Sequence, residues 1–323
     1  MQIVRAEMLK NRRVILRLDL DVKIENGLVV DDFRLKQAIP TIKLCLENAQ
    51  SIRVIGHIGR PAGKVVGSLS VQPIIKWFQQ HHLQSDNLII EENLRFNSQE
   101  EQCDLAFAKQ LARNTDLYIN EAFAAHHPAA STTVLPTLLP HAAGLRFAKE
   151  VEVLTNVRKN PKRPFVAIIG GIKLEDKLPA VLQLSKIAEA VLVGGLLAQN
   201  IKDQKVEIPM NVMLGKLADN GLDMADETVE SFIKLIKNAK QIVWAGPLGK
   251  YEVAEGNLGN KKLAEAILQT KAEIVIGGGD TLAAISKLGI LEQFDKLAFV
   301  SVGGGAMLKF LSEGTLPTIK ALE

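Results

Sequence analysis

The chain has few cysteines, no long apolar run and no concentrated block of charge. Its two cysteines, Cys45 and Cys103, lie far apart without metal-ligand spacing, which predicts reduced thiols rather than a disulfide or a zinc site. No apolar run approaches the roughly 20 residues that a membrane-spanning helix needs. The first residues, MQIVRAEMLKNRR, contain no signal-peptide pattern. The net charge is only +3 and the basic residues are dispersed. We therefore expect a cytoplasmic protein that binds neither membranes nor nucleic acids.

Several common catalytic motifs are missing as well. The sequence contains no GxxxxGK[ST] loop and no clean GxGxxG pattern, which argues against a P-loop nucleotidase and an ordinary dinucleotide-binding fold. It also has no HExxH motif, no CxxC pair and no recognisable Ser–His–Asp arrangement. The usual sequence signatures of zinc proteases, thiol redox proteins and serine hydrolases are therefore missing.

What the chain does contain is a regular alternation of short apolar runs and helical patterns. Its 323 residues, 47% hydrophobic and 23% charged, suit two globular domains. The apolar runs predict buried parallel strands, and the whole predicts an α/β protein with two doubly wound, Rossmann-like lobes. The predicted strands are 14–18, 52–55, 88–90, 117–119, 165–169, 190–193, 241–244, 273–276 and 297–300. The predicted helices include 71–81, 101–112, 147–157, 178–189, 226–239, 261–269 and 283–288.

The boundary between the lobes is expected near residues 145–163. A helix over 147–157 runs into a polar stretch that contains Pro161 and Pro164, and prolines cannot continue a helix. We therefore predict an N-terminal lobe over 1–147, a hinge over 148–163 and a C-terminal lobe over 164–311.

In the N-terminal half, charged residues follow the predicted strands. Ligands of parallel sheets bind beyond the carboxyl ends of the strands, so these residues should converge on one anion site. Arginine forks suit carboxylates and phosphates. The alternative is a set of surface salt bridges, which is the better explanation for any single arginine but a poorer one for several at successive strand ends. The candidates are Asp19, Asp21, Arg34, His57, Gly59, Arg60 and Arg95. For His81, His82 and His141 we expect solvated positions in loops or at helix ends.

In the C-terminal half, the predicted strands end in glycine instead. Glycine-rich turns that lead into a helix expose backbone amides that bind phosphate, although α/β proteins also use such turns for packing alone. Asp280 could cap a helix or face a phosphate-bound metal, and the sequence slightly favours the cap. The turns contain Gly170–Gly171 followed by Lys173 and Lys177, Gly194–Gly195, Gly246, Gly277–Thr281 and Gly303–Gly305.

The ordered motifs resemble those of phosphoglycerate kinase over nearly the whole chain. They are RLDLDV at 17–22, DDFRLKQAIPTI at 31–42, GHIGRP at 56–61, ENLRF at 92–96, NEAF at 120–123, GGIKLEDK at 170–177, WAGPLGKYE at 244–252, GGGDT at 277–281 and SVGGGAMLKFL from 301.

The resemblance implies two lobes facing each other across a cleft, with the tail from about 312 to 323 returning to the first lobe. It implies reversible transfer of a phosphoryl group between 1,3-bisphosphoglycerate and ADP, giving 3-phosphoglycerate and ATP with Mg²⁺, by a monomer in glycolysis or gluconeogenesis. Asp19, Asp21, Arg34, His57, Gly59, Arg60 and Arg95 would bind the triose acid. Arg34, Lys173, Lys177, Gly303 and Gly304 would act on the transferred group. Lys177, Gly194, Gly195, Glu252, Gly277, Gly278, Gly279, Asp280 and Thr281 would bind the nucleotide, with Asp280 at the metal.

The chain departs from the family pattern at several polar positions. Asp21 stands where the family has Asn, and Pro128 stands where the family has Arg. Ala245 and Val302 replace a family Asn and Thr. The chain is also shorter than typical members. These departures leave two alternatives to an active phosphoglycerate kinase: a weak or inactive homologue that serves as a binding module, or a kinase for another small carboxylate.

Overall fold

A computed structural model describes the chain from Met1 to Glu323 and divides it into two compact units. The first unit comprises Met1–Val151 and Thr315–Glu323, and the second comprises Glu152–Gly314. The strands are β1 (Arg13–Arg17), β2 (Lys23–Glu25), β3 (Leu28–Asp31), β4 (Ser51–Ile55), β5 (Leu88–Ile90), β6 (Leu117–Asn120), β7 (His141–Ala143), β8 (Phe165–Ile169), β9 (Ala190–Val193), β10 (Val212–Leu214), β11 (Gln241–Ala245), β12 (Glu273–Gly277) and β13 (Ala298–Ser301). The helices are α1 (Ala6–Leu9), α2 (Phe33–Asn48), α3 (Gln72–Gln80), α4 (Ser98–Glu101), α5 (Leu105–Ala112), α6 (Leu145–Lys159), α7 (Leu174–Leu184), α8 (Gly195–Asp203), α9 (Asp226–Ile236), α10 (Leu258–Leu268), α11 (Gly279–Lys287), α12 (Leu291–Leu297), α13 (Gly304–Glu313) and α14 (Pro317–Lys320).

The first unit contains a five-stranded parallel sheet in the order β5-β4-β1-β6-β7. The central strands are buried along almost their whole length, as apolar strands covered on both faces must be. Val14 on β1 pairs with Ile52 on β4 and with Leu117 on β6. Strands β4 and β5 lie on one side of β1, and the later strands β6 and β7 lie on its other side. The topological switch point therefore lies between β1 and β6.

The second unit contains a six-stranded parallel sheet in the order β10-β9-β8-β11-β12-β13. Strands β8 and β11 are fully buried, and the core beside them includes Trp244 and Phe294, whose ring centroids are 6.3 Å apart. In this sheet β9 and β10 lie on one side of β8, and β11 is the first strand on its other side. The second switch point therefore lies between β8 and β11. The predicted α/β class with two parallel sheets is confirmed, and each predicted strand is present.

Several elements were not among the predicted segments. They include helices α2, α8 and α13, the hairpin β2–β3, and strands β7 and β10. Strands β7 (HAA) and β10 (VML) lack the β-branched run that marks the equally short β5 (LII). The expectation that His141 lies in a loop or at a helix end was wrong, because His141 begins β7. The predicted helix over 101–112 is divided, because Cys103 has φ 55° and the Asp104 carboxylate caps α5 by accepting a hydrogen bond from the Phe107 N–H at 2.7 Å.

The chain ends in the first unit. Three apolar residues of this tail are buried in the first unit: Leu316 before α14, Ile319 within it and Leu322 after it. None of the helices is both long enough and apolar enough to cross a membrane.

Candidate active site

A cavity of about 480 Å³ opens at the switch point of the first sheet. It collects six of the seven residues that the sequence predicted for an acid site, from the ends of different elements. Gly59 contributes through its backbone instead: its N–H donates to the Asp21 carboxylate at 2.8 Å, and its carbonyl accepts from Arg95 at 2.8 Å. The lining includes Arg17, Asp19, Asp21, Arg34, His57, Arg60, Arg95, Glu100, Glu101, His126, His127 and Pro128.

Arg17 and His57 form the buried floor of this cavity. The Arg17 side chain is only 1% exposed, and its guanidinium lies 2.7 Å from His57 Nδ1 and 3.0 Å from the Ser131 hydroxyl. Burial, reinforced by the Arg17 charge, lowers the pKa of His57 well below 6.5. The imidazole is therefore neutral, and because arginine can only donate, Nδ1 is the acceptor. The His57 proton then sits on Nε2, which leaves His57 a hydrogen-bond donor.

Arg34 is held by the backbone and the carboxylate that follow β1. One guanidinium nitrogen donates to the Asp21 carbonyl at 2.8 Å and lies 3.4 Å from Asp19 Oδ1. Asp19 is 6% exposed, and its second oxygen, Oδ2, has no hydrogen-bond partner within the protein. Burial raises the pKa of Asp19. An unsatisfied buried carboxylate oxygen in a cavity is suited to accept a hydrogen bond from a ligand hydroxyl.

The remaining arginines lie in the segments that follow β4 and β5. Arg95 pairs with Glu101 at 3.3 Å, and Arg60 is exposed at the rim. Four arginines and four carboxylates line the cavity, so its formal charges balance. The sequence did not predict Arg17, Glu100, Glu101, His126 or His127 as lining residues. Glu100 and Glu101 lie in the four-residue helix α4, and the two histidines lie in the segment after β6. Neither stretch shows a periodic pattern, although Arg17 opens the RLDLDV motif.

A second cavity, of about 600 Å³, opens at the switch point of the second sheet. Glycine is required there because the strand ends touch. Gly246 has φ 96°, and a Cβ on either Gly170 or Gly246 would collide with the backbone of the opposite turn. The lining includes Gly170, Gly171, Ile172, Lys173, Asp176, Lys177, Gly195, Leu196, Leu217, Gly221, Leu222, Lys250, Tyr251, Glu252 and Asp280.

Helix α7 carries its lysine into this cavity. It begins earlier than predicted, so Lys177 lies on the helix rather than in the glycine turn; Glu175 and Asp176 in the first turn favour a helix start there. Burial lowers the pKa of Lys177, although the nearby Asp280 opposes this. A lysine, a helix N-terminus and two glycine turns together form a cationic, amide-rich wall.

Asp280 does not cap α11. Gly278 occupies the N-cap position and no side chain makes a capping bond, so the sequence-based preference for a cap was wrong. The Asp280 carboxylate instead lines the cavity, where the Tyr251 hydroxyl donates to it at 3.4 Å. No group of three or more metal-ligating side chains occurs in the structure. A single carboxylate nevertheless fits a cation such as Mg²⁺ that takes its other ligands from substrate phosphates and water.

The other predicted nucleotide residues shape the turns rather than line the cavity. The Thr281 hydroxyl accepts from the Gly246 N–H at 2.7 Å and donates to the Gly277 carbonyl at 3.0 Å. A Cβ on Gly304 would collide with Gly278, which brings the turns after β12 and β13 into contact. Gly194, Gly279 and Gly303 are likewise not among the residues that line the cavity. Tyr251 and Lys250 were missed as lining residues, although both belong to the WAGPLGKYE motif.

Comparisons with known proteins agree with this architecture. The family model described as phosphoglycerate kinase matches residues 4–219 and 202–314. Phosphoglycerate kinases from Leptospira biflexa and Dictyoglomus turgidum are each 31% identical to this chain, over 99% of it and 98% of their own length.

Two solved structures are similar throughout. The phosphoglycerate kinase of Coxiella burnetii has a TM-score of 0.82 and 29% identity, covering 97% of this chain and 96% of its own. That of Pyrococcus horikoshii has a TM-score of 0.83 and 25% identity, covering 100% and 98%. With the family model spanning most of the chain and relatives matching it from end to end, this chain belongs to the phosphoglycerate kinase family.

Proposed function

We propose that this chain catalyses reversible phosphoryl transfer between 1,3-bisphosphoglycerate and ADP, giving 3-phosphoglycerate and ATP. Membership of the family makes it a phosphotransferase. The observation that carries the proposal is the pairing of two unlike cavities. One is lined by arginines at the switch point of the first sheet, and the other by glycines and lysines at the switch point of the second. Phosphoryl transfer depends mainly on positioning and on charge neutralisation, which such walls supply.

The first cavity would bind the triose acid. Its candidate ligands are Asp19, Asp21, Arg34, His57, Arg60 and Arg95, with the Gly59 backbone fixing the turn between them. Arg34 would lie nearest the transferred group, and the unpartnered oxygen of Asp19 would accept the substrate hydroxyl. Neutral His57 would donate from Nε2 to a substrate oxygen.

The second cavity would bind the nucleotide. Glu252 would accept the ribose hydroxyls, while Lys173 and Lys177 would neutralise the phosphates and the transferred phosphoryl. Amides of the turns at Gly194–Gly195, Gly277–Thr281 and Gly303–Gly304 would supply further donors. Asp280 would hold Mg²⁺, which neutralises the negative charge on the phosphates. Because the two ligands must meet for transfer, we propose that residues 148–163 act as a hinge, and that closure excludes water from the acyl phosphate. We also propose a monomeric, cytoplasmic enzyme.

The test is a coupled assay with ATP, Mg²⁺ and 3-phosphoglycerate. The wild-type protein should turn over. Arg34→Ala should lose activity by about 10²–10³-fold, the usual effect of removing one preorganised charge donor at the reacting group. Arg113→Ala is the matched control, because Arg113 is an exposed arginine of the same unit outside the cavity, and it should keep full activity.

The balanced charge of the first cavity favours one competing function. Pro128 lies where the family has Arg, and a lost charged partner costs roughly 1.5–3 kcal/mol, or about ten- to hundred-fold in affinity. A kinase for a less highly charged small carboxylate would suit such a cavity. No turnover of 3-phosphoglycerate at millimolar concentration, together with turnover of another acid in a substrate panel, would establish that alternative. Absence of any turnover would identify a binding module.

A further inference from the structure

Tyr251 links the nucleotide cavity to helix α11 through two contacts. Its hydroxyl donates to Asp280 Oδ1 at 3.4 Å. On the other side, the Lys287 ammonium lies 5.6 Å from the centroid of the Tyr251 ring. The same ammonium donates to the Glu252 carbonyl at 3.1 Å, so the segment carrying Tyr251 and Glu252 is attached to α11.

The spacing of these contacts along α11 explains how the ring is held. Asp280 and Lys287 lie seven positions apart, which places them on one face of the helix, two turns or about 10 Å from each other. The Tyr251 side chain therefore lies along that face, with its ring near one charged residue and its hydroxyl at the other. Glu252, the next residue after Tyr251, lines the same cavity as Asp280.

Asp280 needs such a partner to keep one orientation. The residue is exposed and makes no capping bond to its own helix. Lys177 is close enough to interact electrostatically with it, but such an interaction does not fix the plane of the carboxylate. A carboxylate that is the protein's single ligand to a cation gains most from an outer hydrogen bond, because that bond sets which oxygen faces the metal.

We propose that Tyr251 is a positioning residue whose hydroxyl orients Asp280 toward the metal of a metal–nucleotide complex. This inference rests on the proposed function. The Tyr251 ring also ties the ribose-binding segment to the helix that carries the metal ligand. Loss of the hydroxyl should weaken binding of the metal complex selectively, because metal-free nucleotide makes no use of the Asp280 orientation.

Calorimetry on the intact protein tests this with two ligands, MgADP and ADP in the presence of EDTA. In Tyr251→Phe the dissociation constant for MgADP should rise about ten-fold, the lower end of the usual effect of removing an outer-shell partner. The dissociation constant for metal-free ADP should not change. The phenylalanine keeps the ring beside Lys287, so the fold and the cation–π contact are retained.

Tyr118→Phe is the matched control. Tyr118 is the other of the two tyrosines in the chain, and its hydroxyl is buried on β6 without a hydrogen-bond partner. Its removal should leave both dissociation constants unchanged. Equal weakening of MgADP and ADP in Tyr251→Phe, or no effect on either, would overturn the inference while leaving the proposed function intact. A wild-type protein that binds neither ligand would overturn both.

Discussion

The ionisation of Glu121 is strongly affected by its surroundings. It follows β6 directly, and its carboxylate accepts hydrogen bonds from the Thr41 hydroxyl at 2.5 Å and from the amides of Arg146 and Phe147 at 3.0 and 3.1 Å. The two amides belong to the first turn of α6, so Glu121 caps the helix that leads out of the first unit. Burial nevertheless raises the pKa of Glu121 to about 7, with the Thr41 and backbone hydrogen bonds opposing the shift.

This raised pKa predicts a pH dependence of stability. A carboxyl whose folded pKa exceeds its unfolded value contributes stability that is complete below about pH 4.5 and is lost as the pH rises to about 7. Glu121→Gln cannot ionise, so its stability should not fall over that range. Its free energy of unfolding relative to the wild-type protein should therefore rise by about 3 kcal/mol at most between about pH 4.5 and pH 7, on top of a constant loss because the amide nitrogen cannot accept the Phe147 N–H. Midpoints of urea denaturation for both proteins from pH 4 to pH 8 measure this. Parallel curves would show that Glu121 does not titrate in the fold.

The glycine turns of the second sheet differ in whether a residue with a Cβ atom would fit in them. Gly279 and Gly304 each begin a helix directly after a strand of the second sheet, in α11 and α13. A Cβ on Gly304 would collide with the backbone of Gly278, whereas a Cβ on Gly279 would meet no atom within 4 Å. The same sequence pattern therefore serves close packing in one turn and leaves an open backbone in the other.

The matched pair Gly304→Ala and Gly279→Ala separates these two roles. Gly304→Ala should destabilise the second unit by about 1–3 kcal/mol, as overpacking does. Gly279→Ala should be neutral or stabilising by up to about 1 kcal/mol, because alanine lowers the conformational entropy of the unfolded chain. Urea denaturation of the two variants measures both effects. Equal destabilisation would contradict the packing difference between the turns.

At the scale of the whole molecule, the last residues of the chain complete the unit that contains the first residues. Leu316, Ile319 and Leu322 are 0%, 5% and 2% exposed and belong to the first unit. Each buried apolar side chain of this size contributes about 1.5–3 kcal/mol. The first unit is therefore not a contiguous segment of the sequence. Its stability depends on residues that follow the whole second unit in the sequence.

Deletion of residues 315–323 should consequently destabilise the first unit by several kcal/mol while sparing the core of the second. Amide hydrogen exchange resolves the two, since protection should fall in β1, β4 and β6 but persist in β8 and β11. Lys320→Ala is the control, because Lys320 is an exposed residue of the same tail and its truncation should leave exchange unchanged. A uniform loss of protection in both units would contradict the division of the chain.

Much of this fold could be predicted because its strands are buried on both faces. Such strands are continuously apolar, so β8 and β11 stand out from the residues alone. Strands β7 and β10 did not, because HAA and VML lack the β-branched run that marks the equally short β5. The charged residues after β1 and β4 were predictable candidates because parallel strands present their carboxyl ends at one edge.

The α/β class, the apolar strands and the contrast between charged and glycine-rich strand ends follow from the residues alone, because each is a property of neighbouring residues. The position of Glu100 and Glu101 beside the arginines, where they help to balance the charge, depends instead on tertiary packing. Tertiary packing alone decided that Asp280 faces a cavity beside Tyr251 instead of capping its helix. These are contacts between segments far apart in the chain, and no local pattern encodes which side chain a packed fold will place opposite another.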